Sequence, residues 1–105
     1  MIESVVAGRT EFVAQVCPTV KAHSGAEPRV TNDPRQAFNL CAQTGGLLVL
    51  QYDGPDWLPV VRDLRSLCGD GISLVVTVPA DLLAEVRQLQ HAGADEVVPW
   101  EGKSE

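Results

Sequence analysis

Apolar residues along this chain follow two alternating periods. IESVVA (2–7), LLVLQY (47–52), ISLVVTV (72–78) and EVVP (96–99) are short, nearly continuous apolar runs rich in β-branched residues. Runs of that length and composition predict buried strands. Between them the spacing changes to that of a helix with one apolar stripe. Phe12, Val13, Val16, Cys17 and Val20 form the first stripe, and Ala37, Phe38, Leu40 and Cys41 the second. Trp57, Val60, Val61, Leu64, Leu67 and Cys68 form the third, and Leu82, Leu83, Val86 and Leu89 the fourth. EPRVT supplies a further short strand between the first two helices.

The polar and special residues set the element ends. Gly8 ends the first strand, and Pro18 falls inside the first stripe, where a missing N–H and a ring clash predict a kink or a stop. Asp33 followed by Pro34 predicts an N-cap with proline at the first helical position. Asp56 and Asp81 are expected to cap the third and fourth helices, with Pro59 tolerated in the first turn of the third. Gly45, Gly69 and Gly93 are the expected helix stops.

Strands alternating with helices in this way predict an α/β domain with a doubly wound parallel sheet. In the flavodoxin-like strand order 2-1-3-4-5, functional groups gather at the carboxyl ends of the strands near the switch point. Here those ends are Gly8 and Arg9, Gln51 to Asp53, Val78 and Pro79, and Pro99 and Trp100.

The bulk properties narrow the function classes. With 105 residues the chain holds one domain, expected over 1–100, with 101–105 as a polar tail. Hydrophobic residues make up 45% and charged residues 21%, the balance of an ordinary globular core and surface. Eight Lys and Arg stand against 14 Asp and Glu, giving a net charge of −6. Nucleic acid is therefore not an expected partner, because backbone affinity comes from basic residues that displace counterions. No apolar run approaches a membrane span and the start lacks the parts of a signal peptide, so a cytoplasmic location without membrane insertion is expected. Three cysteines, Cys17, Cys41 and Cys68, form no CxxC pair and have no histidines at zinc-ligand spacing. They are expected to be reduced, apolar core residues. His91 near the end of the fourth helix suits the local dipole, His23 lies in a loop, and neither has a nucleophile beside it.

Three segments carry a more specific signal: LLVLQYDGPDWLPVVRDLR, ISLVVTVP and AGADEVVPW. Together they resemble the receiver domain of bacterial response regulators, through Pro55 four residues beyond Gln51 and through Gly93, Ala94 and Asp95 before the last strand. The resemblance implies a phosphoryl-accepting aspartate at the end of the third strand, with acidic residues after the first strand holding magnesium. It also implies a hydroxyl residue after the fourth strand and a lysine after the fifth. In this chain Gln51 takes the acceptor position, Gly8 and Arg9 the acidic positions, Val78 or Thr77 the hydroxyl position and Trp100 the lysine position. An amide is a poor nucleophile and brings no charge for a divalent cation. The chain therefore resembles a degenerate, or pseudo-, receiver, for which no catalytic residue, metal or cofactor is expected.

Receivers end with a fifth helix beside the first, whereas only EGKSE follows Trp100 here, so the architecture is expected to be truncated after the fifth strand. A sheet face left open in this way would be covered by a second copy, another protein or the rest of a longer parent chain. Burying a few hundred square ångströms of apolar surface contributes several kcal/mol at about 25 cal/mol per Å² before association costs. The leading expectation is a phosphorylation-independent interaction module in bacterial signalling or protein localisation, dimerising or docking through that face. Arg9 and Trp100 are its candidate contacts. The alternative is a phosphorylation switch that uses Asp53 in place of Gln51. A small-molecule sensor has little support, since no Gly-rich phosphate loop is present.

Overall fold

A computed structural model describes residues 3–44, 46–52 and 55–100. Five strands, β1 (Ser4–Ala7), β2 (Arg29–Thr31), β3 (Gly46–Gln51), β4 (Ile72–Pro79) and β5 (Glu96–Trp100), form one parallel sheet in the order β2-β1-β3-β4-β5. Helices α1 (Thr10–Ser24), α2 (Pro34–Thr44), α3 (Leu58–Cys68) and α4 (Val86–Ala92) make the crossovers. This is the flavodoxin-like arrangement that the alternating pattern predicts.

Strand alternation divides the core in two. Val5 and Ala7, Leu48 and Leu50, and Leu74, Val76 and Val78 point to one face, where Ala37 and Cys41 of α2, Val60, Val61 and Leu64 of α3 and Leu89 of α4 bury them. Val6, Val49, Leu47 and Val75 point to the other face, together with Phe12, Val13, Val16, Cys17 and Val20 of α1. Three helices thus cover the first face, and α1 is the one described helix on the second.

The coverage is correspondingly uneven. On the α1 side Leu47 and Val75 are half-buried, Ser73 is exposed and Val98, paired with Thr77, is 38% exposed. Within the α1 stripe, Val13, Val16 and Cys17 are only half-buried. Parallel sheets normally bury both faces. Among the described residues α1 leaves a partly covered strip beside it, here called the trough, with Leu47 of β3, Val75 of β4 and Val98 of β5 along it.

Several local expectations are corrected. Helix α1 runs unbroken through Pro18 to Ser24. The ring removes one N–H, but the burial of Phe12 and Val20 on either side holds both halves to the sheet. Asp56 does not cap α3: it lies in a 3₁₀ turn, Pro55–Trp57, and Trp57 takes the N-cap position without a side-chain bond. Asp81 likewise lies within a six-residue 3₁₀ segment, Ala80–Glu85, and α4 begins only at Val86. Leu67 and Leu83, both assigned to buried stripes, are 62% and 43% exposed. Leu67 falls at the edge of its helix stripe, and the 3₁₀ geometry around Leu83 rotates it off the face that an α-helix would bury.

His23, expected in a loop, lies in the last turn of α1, and of the three cysteines only Cys41 is fully buried, Cys17 and Cys68 being half-buried. Two further readings hold. Asp33 caps α2, its Oδ1 accepting the Arg35 N–H at 3.0 Å, and Trp57 is buried. Gly45 lies outside the described residues, but the left-handed backbone that returns the chain to the sheet is found at Gly46, with φ +87°. A Cβ there would sit 2.2 Å from the Glu3 carbonyl oxygen, so only glycine fits.

Candidate functional site at the carboxyl ends of the strands

The strand order reverses between β1 and β3, and their carboxyl ends border a cleft of about 260 Å³. Its lining includes Gly8, Arg9, Asn32, Gln51, Asp56 and Trp57. Gln51, more than 40 positions along the chain from Gly8 and Arg9, therefore meets them as the topology requires.

Their contact is specific. Gln51 ends β3 on the α1 side of the sheet, and its Oε1 accepts the backbone N–H of Arg9 at 2.9 Å. Arg9 is the extended N-cap residue of α1, and its carbonyl receives the Val13 N–H at 2.9 Å. Gly8 makes room for this approach. A Cβ on it would lie 2.6 Å from Phe12 Cδ2, 2.9 Å from Gln51 Cβ and 3.0 Å from Gln51 Oε1. The amide thus fills the space next to the loop and is held there by a main-chain bond.

The remaining candidate positions point elsewhere. Val78 is fully buried on the three-helix face of the sheet, so its side chain belongs to the core rather than the cleft. Thr77 pairs with Gln51 in the ladder, and its buried hydroxyl donates to the Leu50 carbonyl at 3.0 Å. Trp100 ends β5, paired with Pro79, but its side chain and the whole of Asp53 lie outside the described residues. Among the described residues no group of three His, Cys, Asp or Glu is placed to hold a metal ion. The exposed Asp56 is the carboxylate that borders the cleft among the described residues.

Two side-chain networks escaped the sequence reading. Tyr52, next to Gln51, is fully buried and its hydroxyl donates to Glu85, tying the end of β3 to the 3₁₀ segment before α4. Burial, reinforced by that hydrogen bond and the nearby carboxylate, pushes the phenol well above its usual range. At the opposite end of the sheet, Asp95 Oδ2 accepts from Arg65 Nη2 at 2.5 Å and from the Leu74 N–H at 2.7 Å. Arg65 also donates to the carbonyls of Gly93 and Ile72 at 3.0 and 3.3 Å and to that of Gly69. The aspartate of the Gly-Ala-Asp segment is thus one half of a bracket that joins α3, β4 and the turn into β5. A basic residue on α3 was its only sequence signal, and both Arg62 and Arg65 met that description.

No family model matches the sequence, and no curated protein matches it. Solved structures do match. The receiver domain of a Francisella response regulator aligns over 98% of this chain and 87% of its own, with TM-score 0.74 and 17% identity. A Burkholderia pseudomallei protein described as a putative pilus assembly-related protein aligns over 98% of this chain and 81% of its own, with TM-score 0.74 and 15% identity. A Burkholderia thailandensis protein described as a putative pilus assembly protein aligns over 98% and 88%, with TM-score 0.68 and 18% identity. From its strand order and these likenesses, the chain has the flavodoxin-like fold of response-regulator receiver domains.

Proposed function

We propose that the chain is a non-catalytic, phosphorylation-independent interaction module that docks through the trough beside α1. The supporting observation is the Gln51 carboxamide, which stands at the strand end where a receiver needs a carboxylate and is engaged with the Arg9 N–H at 2.9 Å. A side chain so committed offers neither a nucleophile for phosphoryl transfer nor charge for a divalent cation. Gly8 and Arg9 beside it add no carboxylate. The protein then acts through the surfaces it presents, and the half-covered sheet face offers the partly exposed Leu47, Val75 and Val98. Two similar folds come from proteins described as involved in pilus assembly, which favours a partner within assembly or localisation machinery over a transcriptional output. No described helix is long and apolar enough to cross a membrane, and the module is proposed to work in the cytoplasm.

Two measurements test the reading. Amide resonances near Gly8, Arg9 and Gln51 are expected to stay in place when magnesium and beryllofluoride are added, and multi-angle light scattering is expected to give the mass of a dimer or of a stable complex with a partner. A covalent phosphate on Asp53 after treatment with acetyl phosphate overturns the phosphorylation-independent half. A strictly monomeric chain whose Val75 and Val98 methyl groups contact no partner overturns the docking half.

A further inference from the structure

We infer that Gln51 is the positioning residue of helix α1, acting as a capping side chain delivered from a distant strand. A common helix start has a capping box, in which a Glu or Gln at the third helical position reaches back to accept the N–H of the N-cap residue. In α1 the N-cap residue is Arg9 and the third position is Phe12, a buried aromatic ring with no acceptor. Arg9 makes no side-chain cap either. Gln51 Oε1, 42 residues away, takes the N–H that Phe12 cannot. Gly8 is the complementary part, because any side chain there would collide with both Phe12 and Gln51.

The consequence is mechanical. Phe12 sits in the minor core with Val6, Val20 and Val49, and the same helix carries Val13, Val16 and Cys17 along one wall of the trough. Fixing the first turn of α1 to the end of β3 therefore fixes that wall against the sheet. Polar groups at the old acceptor position are thereby turned from a switch into a latch that holds one conformation. Only the link from latch to docking rests on the proposed function; the latch itself is a property of the isolated domain.

The test is made by NMR on the whole chain. In the wild type a scalar coupling across the hydrogen bond, from the Arg9 amide nitrogen to Gln51 Cδ, is expected, and the Arg9 amide is protected from exchange. Gln51→Met, close in shape but without the acceptor, is expected to speed Arg9 exchange about tenfold and to shift the Val13 and Val16 methyl resonances while leaving Leu50 protected. Gln51→Glu, which keeps an acceptor at the helix's positive end, is expected to restore protection. Absence of the coupling in the wild type overturns the inference without any variant. So does an Arg9 exchange rate that is the same in wild type and Gln51→Met, or a loss of protection as large at Leu50 as at Arg9. These readouts need no partner. An intact latch in a monomeric protein whose Val75 and Val98 methyl groups contact no partner would fail the docking proposal alone, and a dimer or complex without the coupling would fail the latch alone.

Discussion

The two faces of the sheet are built from the same strands and the same aliphatic residues, yet they differ in how completely they are closed. On the face covered by α2, α3 and α4, every side chain from β3 and the core of β4 is buried, Leu48, Leu50, Leu74, Val76 and Val78 all at 0% exposure. On the α1 face, Leu47 and Val75 remain half-buried, Val98 is exposed, and Ser4 is buried with no hydrogen-bond partner for its hydroxyl among the described residues. One helix is about 10 Å across and strands lie nearly 5 Å apart. Among the described residues α1 is the one helix on this face, wide enough for two or three of five strands, and it leaves β4 and β5 only partly covered. Among the described residues the fully buried side chains are therefore concentrated on the three-helix side, and the α1 side is the one proposed to dock.

The sharpest way to break this contrast is to truncate the closed side. Leu50→Ala is expected to cost 2–5 kcal/mol, because a fully buried leucine leaves a cavity that its neighbours fill only in part. Urea denaturation measures it, and a cost below 1 kcal/mol would mean the two faces are equally loose.

Next in size is an alkaline transition on the same side. Burial pushes the Cys41 thiol up from 9.0 to about 12, with nearby Cys68 adding to the effect. The folded value lies above the unfolded one, so the associated stability is intact below pH 9 and is lost as pH rises toward 12. Those three units correspond to at most about 4 kcal/mol. Tyr52 adds loss of the same sign above pH 10, for its raised phenol also favours the protonated form when folded. Cys41→Val should remove the cysteine part and flatten the denaturation midpoint between pH 9 and 10, where tyrosine contributes little.

Smaller effects are expected on the open side. Ser4→Ala should stabilise by about 1 kcal/mol, since it removes a buried hydroxyl that has no partner among the described residues. A loss instead of a gain would show that this hydroxyl is satisfied in solution. Val98→Ser should change stability by less than about 0.5 kcal/mol, as expected of an exposed site. The same substitution is expected to weaken dimerisation in sedimentation velocity, so it separates folding from association.

Legibility in the sequence follows the range of the interaction. All five strands and the Asp33 cap of α2 were readable, because each depends on residues within a few positions of one another. The helix starts at Asp56 and Asp81 were misread for the same reason in reverse. Short 3₁₀ segments and α-helices share their capping chemistry, and packing of Trp57 and the Tyr52–Glu85 bond chose between them. At the candidate site, the place of Gln51 at the end of β3 and its neighbourhood with Gly8 and Arg9 were legible from order and topology. The use made of its carboxamide was not, since nothing in residues 8–12 announces an acceptor arriving from position 51.

Residue order by itself determined the alternating elements, the parallel five-stranded sheet and the absence of an acidic pair after β1, because periodicity and residue type are local properties. Only the tertiary structure decided that Gln51 caps α1, that Arg65 and Asp95 bracket the far end of the sheet, and which face remains half open. Those outcomes depend on distances between segments far apart in the chain, and such distances exist only once the strands have paired and the helices have chosen their sides.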